Sequence, residues 1–340
     1  MPAVTPSFLY DLESNMRVIT AQDYQRLTQN LWWTKLAKTM PSGAKKERVS
    51  WLLDSARIQR TGHGGNLEFE DVVALTTEVE NLNAAAGLNV KKEQFEDLDG
   101  NGIDTASHWS RTIGAYASYW PQKCIAKSIL ANGKTYDGKA FFAVDHPVNP
   151  YNLAAGTFTN IFTAGAGPGA CPIGGATTVD VAVANLAKAI AYISTIRLPT
   201  GEDPRFLRAR YLFVPPALYA RAAQITQAKY IAQAAAAGGG SGDVEAIIRY
   251  FGFGEPVEAP ELSAGFSGGA DDCYYIACED VLSSELGAFN YVNREPFSIL
   301  YYGPQNDADL ARIRVFQWTT EGRNNVLNGH PYLFFKCPAT

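Results

Sequence analysis

The chain has few of the groups on which enzymes and metal centres are built. Its 340 residues include only four histidines, His63, His108, His146 and His330, scattered singly along the sequence. The five cysteines, Cys124, Cys171, Cys273, Cys278 and Cys337, form an odd set without a framework spacing, which points to reduced core thiols rather than disulfides. Cys273 and Cys278 lie near each other, but no second histidine or cysteine pair completes a zinc set. No apolar run approaches the ~18 residues that a membrane-spanning helix needs. The N-terminus carries Asp11 and Glu13 where a signal peptide needs an apolar core, so neither a membrane span nor a secretory leader is expected. Net charge is −5, which gives no bulk attraction for nucleic acid.

Phosphate-cradling loops are missing as well. Gly133-Lys134-Thr135 has the end of a P-loop, but Ser128 stands where the first glycine belongs. The glycine-rich run 165–169 has no lysine after it. Asp145-His146 lacks a nucleophile elbow, which leaves His146 as a turn residue after an apolar run. The sharpest local motif is Asp97-Leu98-Asp99-Gly100-Asn101-Gly102-Ile103-Asp104. Asp97, Asp99 and Asn101 match the first oxygen ligands of a calcium loop, and Gly102 its conserved turn. The twelfth position holds His108 instead of a bidentate acid, and no helix is expected before the loop. The competing reading is an acidic turn at the start of a helix, where Asp104 suits the positive helix end.

What the chain does have is a mixed pattern of helix and strand, so the fold class is α+β. A helix is predicted over 20–38, with Tyr24, Leu27 and Leu31 on one face and Trp32-Trp33 near its end. Segments 49–53 and 72–77 read as extended pieces of a long hairpin around the glycines near His63. From Thr105 the spacing of Trp109, Ile113, Tyr116 and Trp120 predicts a second helix, kinked or restarted at Pro121 and stopped at Gly133. The run 140–144 reads as a strand. A third helix is expected over 179–196, and a fourth from Pro216 into the alanines at 234–237. Aromatic-rich strands are expected at 211–214, 256–259, 273–277, 297–301, 313–318 and 332–335.

Four segments in one order carry a family signal: YDGKAFFAVDHPVNP from Tyr136, GTFTNIF from Gly156, RYLFVPPAL from Arg210, and DDCYYIACED from Asp271, followed by FSILYYG. Together they resemble the Mu-like prophage major head subunit (gpT) family, from about residue 48 to the C-terminus. The resemblance implies the tailed-phage, Hong Kong phage type, major capsid fold. Residues 1–47 would be an N-terminal arm and 48–92 an extended loop overlapping a neighbour. Residues 93–210 would form a peripheral domain with a spine helix at about 105–131. An axial domain would span 211–300, and 301–340 would return to the peripheral domain. The implied function is structural: self-assembly into pentamers and hexamers that tile an icosahedral shell around phage DNA in the virion, after assembly in the bacterial host cytoplasm. Implied partners are other copies of the chain, a portal protein and possible decoration or cement proteins. No long charged helical extension is present, so a separate scaffolding protein is implied too. Trp32, Trp33 and the loop residues His63, Asn66 and Leu67 are the expected inter-subunit contacts, with a buried role within the chain open for either tryptophan, and no cofactor is implied. Two other readings stay open. One is a hydrolase using His146 or a cysteine, and the other a calcium-binding phage accessory protein using Asp97, Asp99 and Asn101.

Overall fold

The structure is a computed structural model that describes residues 6–52, 74–93, 101–175, 177–201, 203–227, 230–232, 243–245, 253, 255–281, 287–303, 312 and 315–339. The first helix, α1, spans Pro6–Thr28. Proline suits a helix start because its missing N–H would have no partner there. Leu9, Leu12 and Met16, spaced three and four apart, turn into the core. The helix predicted over 20–38 therefore begins much earlier and ends sooner. Only one more turn follows, α2 at Trp33–Leu36, and Ala37 then opens into extended backbone (φ −115°, ψ 150°). The reason is tertiary. Ala37–Pro41 (β1) pairs in parallel with Phe289–Tyr302 (β12), and that partner outweighs a helical spacing.

The long helix α3 runs Asn101–Ala131 without a break and carries Pro121 inside it. A kink or a restart was expected at that proline, and the helix is not restarted there. The cost is one lost N–H donor to the carbonyl of Ala117, offset by the burial of Ile113, Ala117, Ile125 and Ile129 on either side. The helix stops at Asn132, whose φ of +49° is left-handed, one residue before the expected Gly133. Helix α1 crosses α3 at Gly114, where an added Cβ would sit 2.9 Å from the Thr20 carbonyl oxygen and 3.1 Å from the Asp23 Cβ. Alanine is ordinarily the better helix former by about 1 kcal/mol. Gly114→Ala is nevertheless expected to destabilise the chain by about 1–3 kcal/mol, because the crossing cannot accept the methyl. Urea unfolding checks this, and a stabilised variant would show that α1 does not press on α3.

Two four-stranded sheets organise the rest. The first has the order β1, β12, β13 (Val315–Asn328) and β4 (Leu82–Lys91), antiparallel except for β1. The second has the order β10 (Val257–Glu258), β7 (Leu207–Val214), β11 (Tyr274–Asp280) and β14 (Phe334–Cys337), antiparallel except for β10. Strand β14 thus joins β11, while β13 lies in the first sheet. Strands β2 (Lys46–Leu52) and β3 (Ala74–Glu80) form an antiparallel hairpin, pinned by the Arg48–Glu78 ion pair and by Trp51 Nε1 donating to Thr77 Oγ1 at 2.7 Å. Short pairs are made by β5 (His146–Pro147) with β6 (Thr157–Phe158), and by β8 (Tyr230–Ala232) with β9 (Asp243–Glu245). Two further helices flank the second sheet, α4 at Val179–Ile193 and α5 at Pro216–Gln227. The fourth predicted helix therefore ends at Gln227, before the strand at 230–232; 234–237 lie outside the described residues.

The run 140–144 is not a strand. In a strand Phe141 and Phe142 would face opposite ways. Here both are buried, with ring centroids 5.0 Å apart. The Phe141 N–H donates to the Gly133 carbonyl oxygen at 2.8 Å, and the next two N–H groups are satisfied by side chains. Asn132 accepts from the Phe142 N–H at 2.7 Å, and Asn160 accepts from the Ala143 N–H at 2.9 Å. The main core then closes with Phe141 stacked on Phe289 and Tyr275 on Phe334. A second core under the first sheet is formed by α1, Phe316 and Trp318.

Candidate functional site

Three buried polar knots join distant parts of the chain. In the first, Asp137 sits in the turn after α3 and His146 in β5. His146 Nδ1 lies 2.6 Å from Asp137 Oδ2, and Nε2 lies 3.1 Å from the Phe141 carbonyl oxygen. Both contacts of the ring are acceptors, so the geometry fits an imidazole that donates from both nitrogens. Asp137 also accepts from the Thr135 hydroxyl and the Lys139 N–H. Burial acts to raise its pKa, but the bonds from His146 and Thr135, the His146 charge and the Lys139 N–H outweigh it and hold the carboxyl below its ordinary value. Asn160 ties the knot to the C-terminal segment through the carbonyls of Phe141 and Pro331.

In the second knot, Arg205 Nε donates to Asp280 Oδ2 at 2.8 Å and its Nη2 to the Tyr332 hydroxyl at 2.7 Å. His330 lies beside it, wedged between Trp51, Tyr136 and Tyr332 at ring distances of 4.8, 5.6 and 4.9 Å. Among the described residues neither ring nitrogen of His330 has a hydrogen-bond partner. Burial, and then the charge of Arg205, push its pKa down to about 3. In the third knot, Glu261 accepts from Trp32 Nε1 at 3.1 Å and from Gln122 Nε2 at 2.7 Å, and Gln122 accepts from the Trp32 backbone N–H. That carboxylate fastens α3 and the stretch before α2 to the second sheet.

These arrangements weld; they offer little for catalysis. His146 is fully buried with both nitrogens engaged. Burial lifts the Cys273 and Cys124 thiols to about 11, and raises Cys171, Cys278 and Cys337, so none is a ready thiolate at neutral pH. Among the described residues no cluster of three or more His, Cys, Asp and Glu side chains could hold a metal. Asp97 and Asp99 lie outside the described residues; Asn101 is the first residue of α3, with its side chain likewise outside them. His63, Asn66 and Leu67 also lie outside them.

Trp32 and Trp33 were expected at a subunit contact. Each is only 5% exposed in the single chain. Trp32 stacks edge-on against Phe213, and Trp33 packs at a tilt against Tyr291. Their apolar surface is covered by their own chain, which removes the reason for a neighbour to cover it. Among the described residues the exposed apolar side chains include several that sequence reading passed over: Leu82, Tyr151, Leu153, Phe206 and Val281. Single apolar residues in strands and loops carry no periodic signal, so only their exposure reveals them. A groove of about 430 Å³ also opens between α1, α3 and β12, lined by Arg17, Tyr24, Tyr291, Phe297 and Ile299 among others.

Residues 136–320 match a family described as phage capsid protein, and residues 15–170 match the Mu-like prophage major head subunit gpT family. No curated protein sequence matches the chain. Among solved structures, the chain is similar to the capsid of the cyanophage P-SCSP1u (TM-score 0.51, 14% identity, covering 90% of this chain and 86% of that one). It is also similar to the virus-like particle from Pyrococcus furiosus (TM-score 0.50, 9% identity, covering 95% and 97%). The bacteriophage JBD30 capsid aligns over 89% of this chain at 12% identity and TM-score 0.45, and the chain spans 63% of that protein's length. The α+β architecture is that of the tailed-phage, Hong Kong phage type, capsid fold. Among the described residues no helix is long and apolar enough to cross a membrane.

Proposed function

The chain belongs to the phage capsid protein family, and from that premise we propose how its parts build a shell. It is a major capsid protein of a tailed phage, a structural component of the virion. The first sheet with α1 and α3 serves as the peripheral domain, and α3, about 46 Å long at 1.5 Å per residue, is its spine. The second sheet with α4 and α5 serves as the axial domain, whose loops meet at the centre of a ring. The β2–β3 hairpin is the root of the extended loop that reaches toward a neighbouring copy. On this assignment the domains do not follow consecutive stretches of sequence: β1 and β12 to β13 belong to one sheet, while β14 belongs to the other. The observation that carries the reading is this division into two sheets, with Glu261 fastening Trp32 and Gln122 of α3 to the turn after β10. A buried joint of this kind fits a subunit that must hold its shape in slightly different surroundings.

Rings of five and six arise from heterologous contacts that close on themselves. The partners are further copies of the chain, with a scaffolding protein, a portal protein and decoration proteins as the accessory set. The enclosed DNA is held by confinement, since a net charge of −5 gives the wall no general attraction for it. No catalytic step is part of this role. Negative-stain electron microscopy with light scattering, on the protein expressed alone and with its scaffolding partner, tests it. Rings, tubes or shells are expected; a monodisperse monomer or dimer under both conditions would refute the proposal.

A further inference from the structure

A shell of rings needs two kinds of contact. Those within a ring are heterologous, and those that link one ring to the next across a two-fold axis are isologous, one patch meeting its own copy. An isologous patch must be self-complementary, and one element of this chain has that property. Strand β4 is the last strand of the first sheet, and among the described residues no strand pairs with its outer edge. Natural proteins guard such edges with charge, proline or bulges. The opposite edge of the same sheet is guarded: β1 is five residues long and carries Lys38 and Pro41. Strand β4 is ten residues long, has no charged residue from Leu82 to Val90, contains no proline, and pairs with β13 without a break in register.

Resting on the shell-building role above, we propose that the outer edge of β4 pairs antiparallel with β4 of a second copy across a two-fold axis, joining two four-stranded sheets into one of eight strands. A two-fold antiparallel pair places one residue opposite its own copy, and directly opposed residues point to the same face. With Ala86 on the axis, Leu82 lies opposite Val90 of the second copy, and Ala84 opposite Leu88. Within one chain these even-numbered positions, from Ala84 to Val90, are the half-buried to buried side of the strand, toward α1 and α3. On the other face Asn83 meets Asn89, and Ala85 meets Gly87. The arrangement thus matches apolar with apolar and amide with amide throughout. It also explains Leu82, 59% exposed at the strand's start, where the single chain gives it nothing to cover. In the pair it extends the apolar row over the end of its partner. A slip of two residues in either direction keeps the faces matched but leaves Leu82 or Val90 without its counterpart.

Cysteine cross-linking tests the register without relying on a destabilised variant. Ala86→Cys introduces a small side chain at the axis, where opposed Cα atoms sit about 4.5–5.5 Å apart, within disulfide range. Leu82→Cys places the same group at the strand's end, about 27 Å from its own copy at 3.4 Å per residue. Each variant is oxidised with copper phenanthroline, both as assembled particles and as free protein, and run on a non-reducing gel beside the parent chain. Conversion to covalent dimer for Ala86→Cys, with Leu82→Cys staying at the parent's level, is the expected result. Particles that form normally while Ala86→Cys stays monomeric would overturn the pairing and leave the shell role intact. Equal dimer from both variants would overturn the register. Cross-linking in solution from a chain that never forms particles would support the pairing and count against the shell role.

Discussion

Asp137→Asn lowers the free energy of unfolding by about 3–5 kcal/mol, the cost of stripping one partner from a buried ion pair. Asp137 and His146 have side chains 2% and 0% exposed, so no solvent replaces the lost charge. The asparagine oxygen can still accept one bond. Its amide, however, turns a donor toward a site built of donors: the His146 ring, the Thr135 hydroxyl and the Lys139 N–H. The damage spreads because the knot sets the turn that aims Phe141 and Phe142 into the core. His146→Gln is expected to cost less, since an amide can donate to one of the two acceptors. Urea unfolding followed by tryptophan fluorescence measures both, and a loss below about 1 kcal/mol for Asp137→Asn would mean the pair is dispensable. The same pair gives an acid limit. A carboxyl held below its ordinary value stabilises the fold fully above its unfolded pKa of about 3.9, and that stability is lost as pH falls through the lowered folded value.

Acid weakens the chain at a higher pH through His330. A histidine whose folded pKa is depressed stays neutral inside, while the unfolded chain takes up a proton near pH 6.5. Its stabilising effect is therefore complete above that value and falls as pH drops from 6.5 to about 3. The full span corresponds to about 5 kcal/mol, of which the part down to pH 5 is about 2 kcal/mol. The physical cause is the burial of the ring, and then the Arg205 guanidinium nearby. His330→Phe keeps a ring among Trp51, Tyr136 and Tyr332 and removes the titration. Stability curves at pH 7, 6, 5 and 4 should slope steeply downward for the parent and remain much flatter for the variant. Parallel curves would place the acid-sensitive group elsewhere. Trp51, in β2 and in ring contact with His330, makes its fluorescence a local reporter of the same event.

Much of the architecture can be read without coordinates because it rests on local chemistry. The stripe of Val183, Leu186, Ile190 and Ile193 predicts α4, and the proline at 216 marks the start of α5. Tyr211 to Val214 is an apolar run that only a buried strand accommodates. The order of four motifs then identified the family, since each is short but their sequence along the chain is restrictive. The knots could not be read in the same way. Trp32 and Glu261 are 229 residues apart, and Arg205 and Tyr332 are 127 apart. No periodicity links such pairs.

The amino-acid sequence by itself determined the α+β class, the helix at 179–193 and most of the aromatic strands, because these follow from spacing and composition, while the capsid family came from the resemblance carried by four motifs in one order. Tertiary structure decided the rest: that α1 stops for β1, that α3 runs through Pro121, that 140–144 hangs on asparagine side chains, and that Trp32 and Trp33 face inward. Each of those outcomes depends on what a distant segment offers in hydrogen bonds or covered surface. A local pattern states a segment's preferences, and the partner across the fold determines which preference is met.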